Sequence, residues 1–195
     1  MDDRLKQTLL NIARIAIKEE FIGHRELNDE VKKRLVQMFP QLQKPGAVFV
    51  TINERNSLRG CIGSLVAYRP LIDDVIENAK AAAFGDPRFP PLSESEFDQI
   101  TIEISVLSEP KPLDYKDVED LKNKIRPGID GVVLKLNGYQ ATFLPQVWED
   151  LPDFDQFFAH LCMKAGLIPN CLEMHPQILT YQVEKFSEED FKGHL

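Results

Sequence analysis

The apolar positions near the start of the chain recur at helical steps. Leu5, Leu9, Ile12, Ala13 and Ala16 fall every three or four residues and predict an amphipathic helix over residues 4–20. Leu10, Ile15 and Ile17 lie off that stripe, so its buried face is broad. Val31, Leu35 and Met38 predict a second helix over 29–38, which Pro40 ends. The pattern then changes. "GAVFVTIN" (46–53) and "LRGCIGSL" (58–65) read as strands, and the polar "ERNS" between them makes the pair a hairpin. Leu71, Ile72, Val75, Ile76, Ala79, Ala82 and Ala83 restore the helical period in a segment that Pro70 opens. "GDPRFPPL" (85–92) carries three prolines, which exclude helix and central strand and leave an ordered loop.

"QITIEISVL" (99–107) alternates, with Ile100, Ile102, Ile104 and Val106 on one face, as in a sheet with one wet side. "VEDLKNKI" predicts a short helix that Pro127 closes. Asn137-Gly138 joins two β-rich runs into a second hairpin. Helices follow from Pro145 and over 153–167, where Phe154, Phe157, Phe158, Leu161, Cys162 and Ala165 share a face and Gly166 is the stop. "QILTYQVEKF" (177–186) reads as one final strand, and "SEEDFKGHL" as a frayed tail. Strands in hairpins and meanders predict an α+β fold: a mainly antiparallel sheet flanked by helices, plus a smaller hairpin-and-helix subdomain. With no sharp linker, residues 1–195 read as one domain whose Pro-rich connections allow two interleaved subdomains.

Composition narrows the function classes. The net charge is -8, and "VKKRL" (31–35), the densest basic cluster, reads as a solvated helix face, so nothing suggests nucleic-acid binding. No apolar run approaches the ~18 residues of a spanning helix. The N-terminus lacks the apolar core of a signal peptide. Three cysteines, Cys61, Cys162 and Cys171, are an odd number at irregular spacing; they read as unpaired thiols in a reducing compartment. The expectation is a cytoplasmic protein that meets no membrane.

The chemistry-bearing stretch is "SLRGCIGSL" (57–65). Strict alternation puts Arg59, Cys61 and Gly63 on one face and Leu58, Gly60, Ile62 and Ser64 on the other. An arginine folded back toward Cys61 would stabilise a thiolate, the nucleophilic form. Gly60 and Gly63 would let a ligand or another backbone approach, and their amides could hold an oxyanion. The plainer reading is a cysteine packed as a small hydrophobe, with glycines at a bulge. No histidine is near in sequence; His24, His160 and His175 could serve as a base only if the fold brought one close. Asp86 and Arg88, on the proline-stiffened loop, either line a site or pair to hold the loop shut. If that loop covers the strand, Arg59, Cys61, Asp86 and Arg88 form one polar cleft. His160, Cys162, Cys171 and His175 match no zinc spacing, and His160 and Cys162 face apart on their helix, so no metal and no cofactor is expected. Trp148 reads as core. Phosphate loops, nucleophile elbows and H-E-x-x-H are absent.

"LRGCIG" (58–63) resembles the signature hexapeptide of the AMMECR family, named after the Alport-syndrome, midface-hypoplasia and elliptocytosis chromosomal region. Its prokaryotic members are also called AmmeMemoRadiSam system protein A. "DPRFPPLS" (86–93), "IEISVLSEP" (102–110) and "PGIDGVVLKLNGYQATFLPQVWED" (127–150) extend the resemblance in order. It implies an α+β fold of two subdomains with the hexapeptide strand near their junction, and association with a Memo-like protein and a radical SAM enzyme. It carries no established reaction.

Two functions follow. One is an accessory module that binds a partner or small ligand in a cleft around the LRGCIG strand: Arg59, Gly60, Gly63, Asp86 and Arg88. The other is a cysteine-dependent enzyme acting with the Memo-like and radical SAM partners that the resemblance implies, with Cys61 as nucleophile, Arg59 or Arg88 holding an anionic substrate and Asp86 orienting one of them. The missing base and missing motifs favour the binding module.

Overall fold

A computed structural model describes residues 1–193 and divides the chain into two compact units, residues 1–107 with the segment from Glu184, and Ser108–Val183. In the first unit, helix α1 (Asp3–Ile22) starts where the Asp2 carboxylate accepts the Leu5 N–H at 2.8 Å and stops at Gly23, whose φ of 75° forms a left-handed cap. Helix α2 (Asp29–Met38) is capped by Asn28. Strands β1 (Ala47–Glu54) and β2 (Ser57–Gly63) form the first hairpin, followed by α3 (Leu71–Phe84), the short α4 (Glu94–Phe97) and β3 (Ile100–Leu107). The sheet runs β2-β1-β3-β8, where β8 is Val183–Ser187, with β1 antiparallel to β2 and to β3. One face of this sheet is dry. Val48, Val50, Ile52, Ile102 and Ile104 are fully buried in one core with Leu9, Ile12, Ala16 and Ile17 of α1 and Val75 and Ala79 of α3.

A buried carboxylate ties that sheet to α3. Asp74, wholly excluded from solvent, accepts from the Val48 N–H (2.8 Å), the Ser64 hydroxyl (2.7 Å) and Arg69 Nε (2.7 Å). Asn78, one turn on, donates to the Val48 carbonyl at 3.0 Å and to Ser64 Oγ at 3.1 Å. A buried charge persists only when its lone pairs are filled, and here β1, the exit of β2 and the loop after it supply the donors.

The second unit carries β4 (Lys111–Pro112), α5 (Val118–Lys124), β5 (Gly131–Leu136), β6 (Tyr139–Phe143), α6 (Val147–Asp150), α7 (Phe154–Lys164) and β7 (Gln177–Tyr181), in a sheet of order β4-β7-β5-β6. Asn137 (φ 51°) and Gly138 (φ 85°) take the left-handed conformations of a two-residue hairpin turn. The indole of Trp148 stacks on Phe157 at 3.6 Å in a core with Leu121, Val132, Leu134 and Leu161. The fold is α+β, as the hairpin pattern predicts. The second sheet, however, matches the first in strand number and is larger than the small hairpin subdomain expected.

Three further expectations are corrected. The single strand over 177–186 is two: β7 joins the second sheet and β8 (Val183–Ser187) the first. Gln182 divides them, its amide and carbonyl bonded to Ser108 at 2.8 Å each. The tail is not frayed over 187–191. It forms a 3-10 turn (Glu188–Phe191) capped reciprocally by Ser187 and Asp190, and Arg14 holds Glu188 through Nε (2.7 Å) and Nη2 (2.8 Å). His194 and Leu195 lie outside the described residues. Finally, Cys162 and Cys171 are not unpaired thiols. They form a disulfide, fully buried, because the end of α7 and the 3-10 turn Cys171–Met174 bring their Cα atoms to 5.9 Å.

Reducing this bond, which closes a loop of nine-residue separation, is expected to lower the stability of the second unit by about 2.5 kcal/mol on the chain-entropy model. Denaturant titration with and without reductant checks it. A Cys162→Ala/Cys171→Ala variant should be insensitive to reductant, and equal midpoints for the native chain in both conditions would contradict the prediction.

Candidate functional site

The LRGCIG strand is β2, an outer strand of its sheet. Its hairpin turn uses Arg55 (φ 52°) and Asn56 (φ 64°) in left-handed conformations. Pairing with β1 is regular from Phe49↔Gly63 to Ile52↔Gly60, then slips, so that Asn53 faces Leu58 and Arg59 is the extra residue of a β-bulge. The bulge breaks the strict alternation. Arg59 joins Glu54, which shares a face with Val48, Val50 and Ile52, whereas Cys61 lies opposite Thr51 on the other face. The expectation that Arg59 and Cys61 share a face is thereby corrected.

Each residue of the motif now has a neighbour. A Cβ on Gly60 would overlap the carbonyl oxygen of Ala82, so the glycine is where the α3 backbone comes down on the strand. A Cβ on Gly63 would overlap the ring of Phe49, its cross-strand partner. Of the alternatives the sequence left open, Gly60 therefore admits a backbone, and Gly63 an aromatic ring. Arg59 is 9% exposed. Its Nε and Nη2 bond Glu96 at 2.8 and 3.2 Å, and Glu54 stands 3.9 Å from Nε. Nη1 is closed off from solvent without a hydrogen-bond partner. The guanidinium holds the Glu96 carboxyl down to about 2. Glu54, hydrogen-bonded to that same carboxylate and partly desolvated, is raised instead.

Cys61 is half-buried and carries the free thiol. The Thr51 hydroxyl donates to its Sγ at 3.3 Å. Its backbone is held by the proline loop. The Cys61 N–H donates to Asp86 Oδ2 at 3.0 Å, and Arg88 Nη2 donates to the Cys61 carbonyl at 3.4 Å. Asp86 and Arg88 also pair with each other at 2.7 Å. Asp86 is almost fully buried and held well below the usual carboxylate range, first by the Arg88 guanidinium and next by the Cys61 N–H. The loop leaves α3 directly and is anchored where Leu92 N–H meets the Ala83 carbonyl at 2.8 Å.

The structure thus brings Cys61, Asp86 and Arg88 together: the hydrogen bonds go to the backbone N–H and C=O of Cys61, and the Arg88 guanidinium, held by Asp86, is also near enough to feel the thiol electrostatically. Arg59 forms a separate cluster with Glu54 and Glu96. The ring of Phe89 touches both, 5.9 Å from the Arg59 guanidinium and 5.5 Å from that of Arg88. Thr51, Glu54, Phe89 and Glu96 were not singled out from the sequence. Glu96 had a signal: "SESE" places it three residues after Ser93, the capping-box spacing, and both bonds of that box are present. Thr51 follows from the hairpin register only once the bulge is known. Among the described residues no cluster of three or more His, Cys, Asp or Glu could hold a metal, and no helix is long and apolar enough to cross a membrane.

An α+β protein of two compact units, presenting a glycine-flanked cysteine on an outer strand that a charged loop guards, is the class this geometry defines. The AMMECR1 family model matches residues 10–186, and the chain belongs to that family. A protein from Methanothermobacter thermautotrophicus is 40% identical over 187 residues, covering 94% of both chains. One from Sulfolobus acidocaldarius is 43% identical over 169 residues, 84% of this chain and 72% of the other. The crystal structure of the uncharacterized protein PH0010 from Pyrococcus horikoshii superposes with a TM-score of 0.74 at 32% identity, covering 97% of this chain and 94% of that one.

Two predictions follow from the packing and the charges. Gly60→Ala should cost about 3 kcal/mol, because a helix backbone cannot yield, and Gly63→Ala about 2 kcal/mol, because the Cβ would overlap Phe49 Cγ, which moves only if the whole side chain changes χ1; chemical denaturation of both variants checks the order. Glu96 has a folded pKa below its ordinary 4.5, so its stabilisation is present above pH 4.5 and is lost as the pH falls toward 2. Glu96→Gln should therefore flatten the fall of the melting temperature between pH 4.5 and 2, and an unchanged slope would contradict the assignment.

Proposed function

We propose that this protein is a non-catalytic accessory module whose binding surface is the LRGCIG strand and the loop beside it. One observation carries the reading: Asp86 and Arg88 spend their hydrogen bonds at Cys61 on its backbone N–H and C=O, and the Arg88 charge that reaches the thiol is already neutralised by Asp86. A nucleophilic cysteine needs a base within hydrogen-bond reach or a cation placed to stabilise the thiolate. Among the described residues, the side chain bonded to Sγ is that of Thr51, a donor. Arg59 is engaged by Glu96 and Arg88 by Asp86. Beyond the strand, Leu65 (43%), Val66 (67%) and Tyr68 (66%) expose apolar side chains, as a surface awaiting a partner does. Action beside Memo-like and radical SAM proteins belongs to this reading and rests on the family resemblance. Residence in the cytoplasm, the expectation drawn from composition, is kept with this reading; a buried disulfide is compatible with it, since intracellular proteins of hyperthermophilic archaea carry such bonds.

Iodoacetamide at neutral pH should label Cys61 no faster than it labels the denatured chain, and folded Cys61→Ser should retain partner binding and cellular function. Faster labelling of the native thiol, or loss of function in well-folded Cys61→Ser, would overturn the proposal in favour of a cysteine nucleophile.

A further inference from the structure

We infer that the outer edge of β2, at Cys61 and Gly63, is a strand-addition site for an extended segment of a partner polypeptide, and that the Asp86–Arg88 pair is a guard which that segment displaces. The inference rests on the binding-module reading and adds to it the kind of partner and the way it docks. In an antiparallel ladder the N–H and C=O of one residue point to the same side, and the direction alternates along the strand. Ser64 donates its N–H inward, to the Val48 carbonyl of β1 at 3.0 Å. Cys61 sends both backbone groups outward, where Asp86 and Arg88 meet them. Gly63, two residues on and half-exposed, shares that direction. Among the described residues no side chain and no loop backbone bonds its N–H or C=O. The edge is thus blocked at one peptide group and open at the next.

The guard reproduces in side chains what a neighbouring strand offers in backbone. A carboxylate oxygen stands where a strand carbonyl would accept, and a guanidinium where a strand N–H would donate. Its two halves neutralise each other, so when a peptide replaces them they keep their own ion pair. Arg88, with a side chain 56% exposed, has only its longest hydrogen bond, 3.4 Å to the Cys61 carbonyl, to give up and keeps Asp86 as it does so. Leu58, at 43% exposure, and the Leu65–Tyr68 loop flank the open edge at either end and offer apolar contacts to alternate residues of a docked strand. A net charge of -8 opposes pairing of two copies and favours a basic segment.

The test uses a displayed library of random ten-residue peptides, selected on the full chain and on an Asp86→Ser/Arg88→Ser variant. Selected peptides are then synthesised with single backbone N-methyl groups. The expected result is peptides whose affinity falls roughly tenfold or more on N-methylation at alternate positions and is unchanged at the intervening ones. The Gly63 amide should gain hydrogen-exchange protection, and the double variant should bind more tightly. If that variant does not fold, Arg88→Ser alone carries the comparison. Failure of both proteins to select any peptide overturns the inference. So does binding indifferent to N-methylation, which leaves the accessory-module reading standing. A variant that dimerises with Gly63 protected but binds no peptide overturns it too, in favour of a second copy of this chain.

Discussion

Helix α3 lies so close to β2 that the carbonyl oxygen of Ala82 fills the space a side chain at position 60 would need. Backbone against backbone leaves no flexible group to absorb an error, so this approach sets where the helix ends relative to the strand. The proline loop begins one turn later. Its first acidic residue then arrives at the Cys61 N–H, and Leu92 closes the loop back onto Ala83. The charged guard on the sheet edge is therefore a consequence of one small residue in the strand.

The other end of the same helix acts on the other end of the same strand. Asp74, in the first turn of α3, receives Ser64 just past β2, Val48 of β1 and Arg69 of the following loop. A fully buried carboxylate tolerates few arrangements, because each lost donor exposes a desolvated charge. Between them, Asp74 and Ala82 hold β2 along its length. The bulge at Arg59 lies just outside these restraints, one residue before Gly60. It turns the guanidinium onto Glu96 and leaves the thiol with Thr51 on the opposite face.

The chain also separates its sulfur chemistry by unit. Cys162 and Cys171 are bonded and wholly buried in the aromatic core of the second unit, where the disulfide joins α7 to the turn after it. Cys61 remains a free, half-buried thiol on a sheet face of the first. Membership of the AMMECR1 family agrees with this architecture across nearly the whole chain. What distinguishes the LRGCIG strand physically is its position at an edge, which most sheets must protect with charge, a bulge or a cover. β2 has a bulge at Arg59 and a charged cover at Cys61, and neither reaches Gly63.

Periodicity by itself determined α1, α2 and α3 of the first unit, both hairpins and the alternating strand β3, but not the single-turn α4, because burial of one face leaves a direct trace in residue order only over several turns or alternations. It also determined that 85–92 is an ordered loop, since three prolines leave the backbone few options. It could not reveal the disulfide, whose partners meet only after α7 and a short turn fold back. Nor could it divide 177–186 between two sheets, because both halves alternate alike and only their hydrogen-bond partners differ. The site shows the same division. Arg59, Cys61, Asp86 and Arg88 stood out by type and spacing, but a one-residue slip in pairing decided which of them meet. Such a slip moves a side chain to the opposite face of a sheet, and residue order alone does not display it because the pairing partner lies on another strand.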